Sequence, residues 1–226
     1  MLPAGDIQLD DDDVGTLRPG QWLNDQVIAY QFERLQQCRQ GALQVLEPSL
    51  SFTASIVDAA TLHEMLCVPR TRNTTPLSKV LADAELVLIP VNNNTDADMP
   101  NGGSHWSLLV FRRQIKGDGG CRFEHYDSCT GANNSLARNI AGKLVHTLAP
   151  KSKGTIRVVH MRTPQQVNGF DCGMYVLAIG AILCKAFDAG NKSSVSLDLE
   201  AVSPRFIESE RKALFNELIQ CLTLQG

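Results

Sequence analysis

The sequence has no excess of basic residues, no Cys-x-x-Cys pair and no long apolar run. Lysine and arginine number 21 against 24 acidic residues, a net charge of −3, which argues against nucleic acid as a partner. The seven cysteines are scattered without a close Cys/His cluster, so reduced thiols fit better than disulfides or structural zinc. The longest nearly apolar run, residues 174–184, is too short to span a bilayer.

Length and composition favour one compact unit. The 226 residues, 43% of them hydrophobic, suffice for one substantial core and are few for two. We therefore predict a single domain over residues 1–226, and a monomer. Residues 1–16, acidic at positions 10–13, are predicted to be a flexible segment. They lack the layout of a signal peptide, so we expect a soluble protein of the cytoplasm or nucleus, without a membrane partner.

Apolar periodicity predicts helices at both ends of the chain and strands between them. Helices are predicted over residues 22–37, 53–66, 77–84, 134–148, 174–187 and 204–222. Strands are predicted over residues 85–91, 105–113, 122–127 and 155–161. The second and third of these strands form a predicted hairpin. The polar loop 92–104, rich in asparagine and glycine, is expected to become ordered only on binding.

Cys172 is a candidate nucleophile because it stands where the apolar helix begins. Asp171 precedes it and could cap the free amides of the helix. The unpaired N–H groups and the helix dipole favour the thiolate, the reactive form of cysteine. Buried cysteines at helix starts are mostly inert, so the assignment depends on partners.

Two strand ends could supply those partners. His105 opens one strand of the hairpin and Asp127 closes the next, and antiparallel pairing brings a strand's start beside its neighbour's end. The carboxylate could then fix the imidazole tautomer while the imidazole takes the thiol proton of Cys172. Taken singly, a capped strand start and a turn aspartate explain the first two residues as well.

The approach to Cys172 offers further candidates. The side-chain amide of Gln166, with the backbone N–H of Cys172, could hold an oxyanion, although Gln165 competes for the role and an ordinary loop glutamine is the alternative. Gly173 could leave room for a substrate backbone close to the sulfur. The order His, Asp, Cys excludes the papain-like order, in which the cysteine comes first.

Four ordered motifs carry a resemblance to a known family. They read Trp22-Leu23-Asn24-Asp25, His105-Trp106-Ser107-Leu108, Tyr126-Asp127-Ser128 and Gln165-Gln166-Val167-Asn168-Gly169-Phe170-Asp171-Cys172-Gly173-Met174-Tyr175. Together they resemble the ubiquitin-like-protein-specific proteases, the sentrin-specific cysteine peptidases. The resemblance implies an α+β fold of papain-like type, with a central mixed sheet flanked by helices and the nucleophile at the start of a buried helix. It also implies a triad of His105, Asp127 and Cys172, with Gln166 as the oxyanion residue.

The resemblance also implies a way of selecting substrates. The positions of Trp22 and Trp106, the two tryptophans of the chain, match residues that shape a narrow tunnel for a modifier's Gly-Gly tail. Because glycine lacks a β-carbon, two indole faces can close over it and exclude bulkier residues. Core packing is the alternative for Trp22. Asp25 matches a position that resembles a salt-bridging site for a basic residue of the modifier, although helix capping explains it equally well.

The modifier itself is the harder question. The brevity of the chain, Gly102-Gly103-Ser104 and the asparagine-rich loop resemble the small deneddylase branch. The hairpin turn at 114–121 and the acidic tract at 10–13 depart from it. We therefore expect the neddylation modifier as substrate, with conjugates such as cullins, and SUMO as the alternative. No metal or cofactor is implied. An acyltransferase with the same triad and a modifier-binding module without turnover are the remaining alternatives.

Overall fold

A mixed β-sheet forms the centre of the structure, a computed structural model that describes residues 7–37, 41–69, 71, 74–99, 102–113, 121–150, 157–190 and 198–223. Within these ranges the sheet has five strands, which lie side by side in chain order. They are β1 Leu43–Val45, β2 Leu86–Asn92, β3 Trp106–Arg113, β4 Cys121–Tyr126 and β5 Val158–His160. The outer pairs, β1 with β2 and β4 with β5, are parallel, whereas β2, β3 and β4 pair antiparallel.

Helices cover both faces of the sheet. They are α1 Asp11–Gly15, α2 Asp25–Gln37, α3 Pro48–Ile56, α4 Ala59–Cys67, α5 Leu77–Asp83, α6 Asn134–Leu148, α7 Cys172–Asp188 and α8 Pro204–Thr223, with a 3-10 turn at Asp198–Ala201. One apolar cluster packs α1, α2, α7 and α8 against the first face of the sheet. A second apolar cluster packs α3, α4, α5 and α6 against the other face. Among the described helices, none is long and apolar enough to cross a membrane.

The alternation of side chains along the strands explains the two clusters. In β2, Leu86 and Leu88 face the first cluster, whereas Val87 and Ile89 face the second. Both faces are apolar, so the central strands are continuous hydrophobic runs. The helix α7 packs closely here: a β-carbon added to Gly180 would lie 2.5 Å from a ring carbon of Phe32. Such close packing fixes the position at which α7 begins.

The predicted helix 134–148 is confirmed, and most other predicted elements agree to within a few residues. The single helix over 53–66 is wrong, because the chain breaks there and forms α3 and α4. Asp58 ends the break as the N-cap of α4, and its Oδ1 accepts hydrogen bonds from the N–H groups of Ala60 (2.9 Å) and Thr61 (3.0 Å). The long hairpin turn and residues 155–156 of the last predicted strand lie outside the described residues.

The acidic segment before Trp22 is helical where the structure describes it. Asp10 and Asp13 form a capping box, in which each side chain accepts a hydrogen bond from the other's backbone N–H (2.8 and 3.1 Å). The helix α1, which begins after Asp10, buries Val14. Leu17 is buried just beyond the end of this helix. The prediction of a flexible segment over 1–16 is therefore wrong for residues 10–16, while residues 1–6 lie outside the described ranges.

Candidate active site

The structure brings His105, Asp127 and Cys172 together at one end of the sheet. His105 immediately precedes β3 and Asp127 immediately follows β4, so the antiparallel pairing places them side by side. The imidazole Nε2 of His105 lies 2.6 Å from Oδ1 of Asp127, and both side chains are buried. This bond leaves Nδ1 of the imidazole for the side chain of Cys172, whose interaction with His105 raises the pKa of the imidazole. Cys172 is the first residue of α7.

Opposing effects set the protonation of His105. Burial disfavours the imidazolium and would lower its pKa. The hydrogen bonds to Asp127 and Cys172, and the charges on both, outweigh burial and raise the pKa of His105 to about 9. The imidazole can therefore hold the proton of the thiol as an imidazolium at neutral pH, which is the condition for a thiolate nucleophile.

Asp127 is held as a carboxylate. Burial would raise its pKa, but hydrogen bonds from His105 and from backbone N–H groups prevail and lower the pKa of Asp127. The N–H of Cys129 donates to Oδ1 (3.0 Å) and that of Asn133 donates to Oδ2 (3.1 Å). Both oxygens are thus fixed, which orients the imidazole and sets its tautomer.

Asp171 does not cap α7, so that part of the sequence prediction is wrong. Its side chain makes no bond to the helix; Oδ1 instead pairs with Nε (2.9 Å) and Nη2 (2.8 Å) of Arg211 in α8. Arg211 is 4% exposed and also donates to the carbonyl groups of Phe170 and Thr16. The first N–H groups of α7 are therefore left without an Asp171 cap, and they remain available to an oxyanion.

Arg211 has a functional position that the sequence analysis missed. It anchors the loop before Cys172 to α8 and to the end of α1 through three hydrogen-bonded residues. The sequence contained a signal for this role, because Arg211 lies on the apolar stripe of an amphipathic helix. It follows the buried Ile207 by four residues and precedes the buried Leu218 by seven. A charged side chain at such a position requires a buried partner.

The two glutamines before Cys172 differ in their surroundings. Gln165 is committed to the loop: its Nε2 donates to the carbonyl groups of Asp127 (3.0 Å) and Thr163 (2.9 Å). Gln166 accepts from the hydroxyl of Ser128 (2.7 Å) through Oε1 and donates to a loop carbonyl, that of residue 168, through Nε2 (2.7 Å). An amide nitrogen carries two hydrogens, so that of Gln166 can make this bond and still donate to an oxyanion.

A cleft of about 1170 Å³ leads to Cys172, and both tryptophans line it. Trp106 is buried (7% exposed) and its Nε1 donates to the carbonyl of Leu23 (2.9 Å). Trp22 is 52% exposed and its Nε1 donates to the carbonyl of Gly169 (2.6 Å). Core packing, the alternative considered for Trp22, is therefore wrong. Both indoles are tied to the backbone, so the cleft has walls of fixed orientation.

Asp25 also lines this cleft, together with Asp12 and Asp96. It is the first residue of α2 but not the cap, because Oδ1 of Asn24 accepts the hydrogen bond from the N–H of Val27 (3.0 Å). The capping alternative for Asp25 is thus wrong. Its carboxylate, those of Asp12 and Asp96, and those of Asp10 and Asp13 make the wall of the cleft acidic.

Gly173 packs against the loop that carries the first tryptophan. A β-carbon at this position would lie 2.9 Å from Cβ of Leu23, which is closer than packed carbons approach. The same Leu23 provides the carbonyl that holds Trp106. The glycine therefore allows close packing, and the structure does not bear out the room for substrate that the sequence analysis expected there.

The asparagine-rich loop forms the other wall of the cleft and is tied together by its own side chains. Oδ1 of Asn92 accepts from the N–H of Asn94 (2.7 Å), and Oδ1 of Asn93 accepts from the N–H of His105 (3.0 Å). Gly103 has a φ of +86°, and a side chain there would clash with Asn92. These bonds of the described residues place the end of the loop beside His105. That it becomes ordered only on binding stays a prediction.

Two named proteases are similar to this chain over most of its length. NEDD8-specific protease 1 of Arabidopsis thaliana is 30% identical over 192 residues, which cover 84% of this chain and 77% of that protein. Sentrin-specific protease 8 of Homo sapiens is 29% identical over 219 residues, which cover 93% of this chain and 92% of the human protein.

Solved structures agree with the architecture. The SUMO protease Ulp1 with its catalytic cysteine oxidised to a sulfinic acid superimposes with a TM-score of 0.65 at 17% identity, covering 91% of this chain and 81% of that one. At such identity the likeness concerns the fold alone. It confirms the predicted α+β fold of the ubiquitin-like protease type, with a mixed sheet between helices.

A family profile decides between the classes of activity that the sequence left open. The C-terminal catalytic domain of the Ulp1 protease family matches residues 21–211. That range contains both tryptophans, His105, Asp127 and Cys172. The match to a protease family favours peptide-bond cleavage over acyl transfer to another acceptor. The chain therefore belongs to the Ulp1 protease family and is a cysteine peptidase.

Proposed function

We propose that this chain is a deneddylase, which cleaves after the C-terminal Gly-Gly of the neddylation modifier. It would process the precursor and release the modifier from lysine side chains of conjugates such as cullins. The observation that carries the proposal is the cleft walled by Trp22 and Trp106, which leads to Cys172 beside His105. The relatives named for NEDD8-specific and sentrin-specific proteolysis support the choice of modifier.

The proposed reaction begins with the Cys172 thiolate, which attacks the carbonyl carbon of the terminal glycine. The negative charge that forms on the carbonyl oxygen is held by the backbone N–H of Cys172 and the amide of Gln166. The imidazolium of His105 then protonates the departing amine as the C–N bond breaks. A thioester between modifier and Cys172 remains.

Water completes the proposed reaction. The neutral imidazole of His105 takes a proton from a water molecule, which attacks the thioester. The C–S bond breaks, the modifier leaves as a Gly-Gly carboxylic acid that gives its proton to solvent, and the thiolate–imidazolium pair is restored. Asp127 stays ionised throughout and stabilises each imidazolium that forms.

Selection for glycine follows from the cleft. We expect the indole rings, which are held by the carbonyl groups of Leu23 and Gly169, to close over the tail as a narrow slot that only a chain without β-carbons can pass. The acidic wall formed by Asp12, Asp25 and Asp96 suits a basic residue of the modifier near its tail. The indole rings and the acidic wall act before the peptide bond is cleaved, so they determine which tail reaches the sulfur of Cys172.

The exposed tryptophan offers a clean test of the slot. Trp22→Ala is expected to lower kcat/KM for a folded modifier by about 30-fold, the size typical of an interfacial tryptophan. Alkylation of Cys172 by iodoacetamide should continue at the wild-type rate, because Trp22 is half exposed and its loss leaves the core intact. Met65→Ala, at an exposed site on α4, is the matched control for surface truncation. Equal loss in both assays would mean that Trp22 supports the nucleophile rather than the substrate.

The choice of modifier is tested with three probes that carry a C-terminal electrophile: the neddylation modifier, SUMO and ubiquitin. We expect the neddylation-modifier probe to label the chain fastest, with the adduct on Cys172. Preference for the SUMO probe would overturn the choice of modifier while keeping the protease mechanism. Labelling that survives Cys172→Ala would instead overturn the assignment of the nucleophile.

We further propose that the protein acts as a monomer in the cytoplasm or nucleus. Support for the compartment comes from its thiols: the exposed Cys67 and Cys129 are free thiols. Reducing compartments keep such thiols in this state. Size-exclusion chromatography with light scattering and imaging of the tagged chain test the two statements separately.

A further inference from the structure

Asn133 lies beside the His105–Asp127 pair and is bonded to both. Its backbone N–H donates to Oδ2 of Asp127 (3.1 Å), and its side-chain Nδ2 donates to the carbonyl of His105 (3.4 Å). The same Nδ2 lies 3.3 Å from the carbonyl of Val91 and 3.0 Å from the hydroxyl of Ser107. Asn133 is 1% exposed. One buried residue therefore joins the end of β2, the start of β3 and the carboxylate that follows β4.

The role of the Asn133 side chain is indicated by its lack of hydrogen bonds to its own helix. It is the N-cap of α6, where an asparagine usually accepts from an N–H of its own helix, yet it makes no such bond. The carbonyl groups of Val91 and His105 can only accept, so the nitrogen of the amide must face them. Its Oδ1 is buried and accepts nothing from the described part of the chain. The side chain is placed for the strand ends rather than for the helix.

A chain of imidazoles fixes Ser107, the third acceptor of this amide. Arg138 can only donate, so Nε2 of His160 accepts from it (3.0 Å) and the proton of His160 lies on Nδ1. That proton is donated to Nδ1 of His125 (3.3 Å), and His125 donates in turn from Nε2 to the hydroxyl of Ser107 (2.9 Å).

The buried member of this chain keeps its neutral form. Burial, together with the positive charges of His160 and His105, outweighs the opposing effects of Asp127 and Asn134 and lowers the pKa of His125 to about 4. His125 is therefore neutral at physiological pH. Its Nε2 proton and the amide of Asn133 hold the hydroxyl of Ser107 from two sides.

We propose that Asn133 is a positioning residue, which holds the main chain of His105 and the carboxylate of Asp127 in register so that the imidazole meets Cys172. The inference rests on the proposed function. His105 lies one residue beyond the last paired position of β3, where one backbone hydrogen bond, from the N–H of Asn93 to its carbonyl (3.2 Å), continues the pairing. Asn93 holds it from the loop side, and Asn133 links it to the turn that carries Asp127.

The variant Asn133→Ala tests the proposal through the pH dependence of Cys172 alkylation by iodoacetate. This anionic reagent is drawn to the imidazolium, so its rate falls where His105 loses its proton, near pH 9 in the wild type. Without the amide, the bond between His105 and Asp127 loosens and the imidazolium loses stabilisation. The alkaline limb should then move down by about one pH unit, a tenfold change in proton affinity. The kcat for modifier cleavage should fall about tenfold with KM nearly unchanged.

Asp58→Ala is the matched control, because it removes a working helix cap on α4 that touches none of these residues. It should lower the melting temperature and leave the alkaline limb in place. If Asn133→Ala lowers the melting temperature but not the limb, the residue is merely structural and the proposal is overturned. A wild-type profile without any limb near pH 9 would overturn the thiolate–imidazolium pair of the proposed function as well.

Ser107→Ala carries the test if Asn133→Ala fails to fold. It removes the hydroxyl that makes the shortest bond to the Asn133 amide and thereby orients it toward the two carbonyl groups, so the limb should move in the same direction by a smaller amount. An unchanged limb in a folded Ser107→Ala protein, with wild-type kcat, would overturn the proposal on its own.

Discussion

Replacing Cys172 with alanine is expected to lower kcat/KM for a modifier fusion by about 10⁴-fold or more, the size seen when a covalent nucleophile is removed. Cys172 lines the cleft, and its interaction with His105 raises the pKa of the imidazole. The variant keeps the walls of the cleft, so binding of the modifier should remain close to wild type. Steady-state cleavage and calorimetric binding measured on the same protein separate the two effects.

Cys184→Ala is the matched control for this variant. Cys184 is also buried in α7, twelve positions along the same helix, and lines no part of the described cleft. It should retain cleavage while showing any general cost of losing a buried thiol. A Cys172→Ala protein that kept more than about one hundredth of the wild-type activity would contradict covalent catalysis by this residue.

The second large effect concerns His105. His105→Ala is expected to lower kcat by about 10³-fold, because general acid–base catalysis and stabilisation of the thiolate are lost together. The pH profile gives a sharper signature than the size of the loss. The leaving amine takes its proton from the imidazolium, so wild-type activity is present below the raised pKa of about 9 and is lost as the pH rises through it. The residual activity of the variant should show no such alkaline limb.

Asp127→Asn provides the comparison for His105→Ala. An amide removes the charge beside the imidazole but keeps the size of the side chain, so the pKa of His105 should fall and the alkaline limb should move to lower pH. An alkaline limb near pH 9 that persists in His105→Ala would assign that ionisation to another group and contradict the role given to this histidine.

The pairing of His105 with Asp127 could be predicted because it depends on local geometry. Two adjacent antiparallel strands bring a strand's start beside its neighbour's end, whatever else the fold contains. The position of Cys172 followed in the same way from the apolar run that begins α7. The position of a residue that depends on one hairpin or one helix can therefore be predicted from the sequence.

Other features depended on contacts between distant segments. Asp171 has the character of a helix cap, but Arg211, forty positions away, takes its carboxylate. Trp22 precedes an amphipathic helix, which suggests core packing, yet its bond to Gly169 holds it at the open cleft. Asn133 is directed to strand ends that only the folded sheet brings near it. No pattern within a short window of sequence contains these contacts.

Some local signals were present in the sequence, but the prediction did not use them. In the acidic tract, Asp10 and Asp13 have the spacing of a capping box, and Val14 and Leu17 follow at helical spacing. The break between α3 and α4 was marked by the capping residue Asp58. The strand β1, by contrast, has only three residues, and its pairing with β2 defines it more than its composition does.

Intact-mass analysis of cleaved fusions tests the central claim most directly. The neddylation modifier, SUMO and ubiquitin, each extended by a short peptide after Gly-Gly, are incubated in parallel with the wild-type chain and with Cys172→Ala. The account predicts release of the neddylation modifier ending in Gly-Gly, faster than either other modifier, and no release by the variant. Cleavage at another bond, faster cleavage of the SUMO fusion, or cleavage by Cys172→Ala would contradict it.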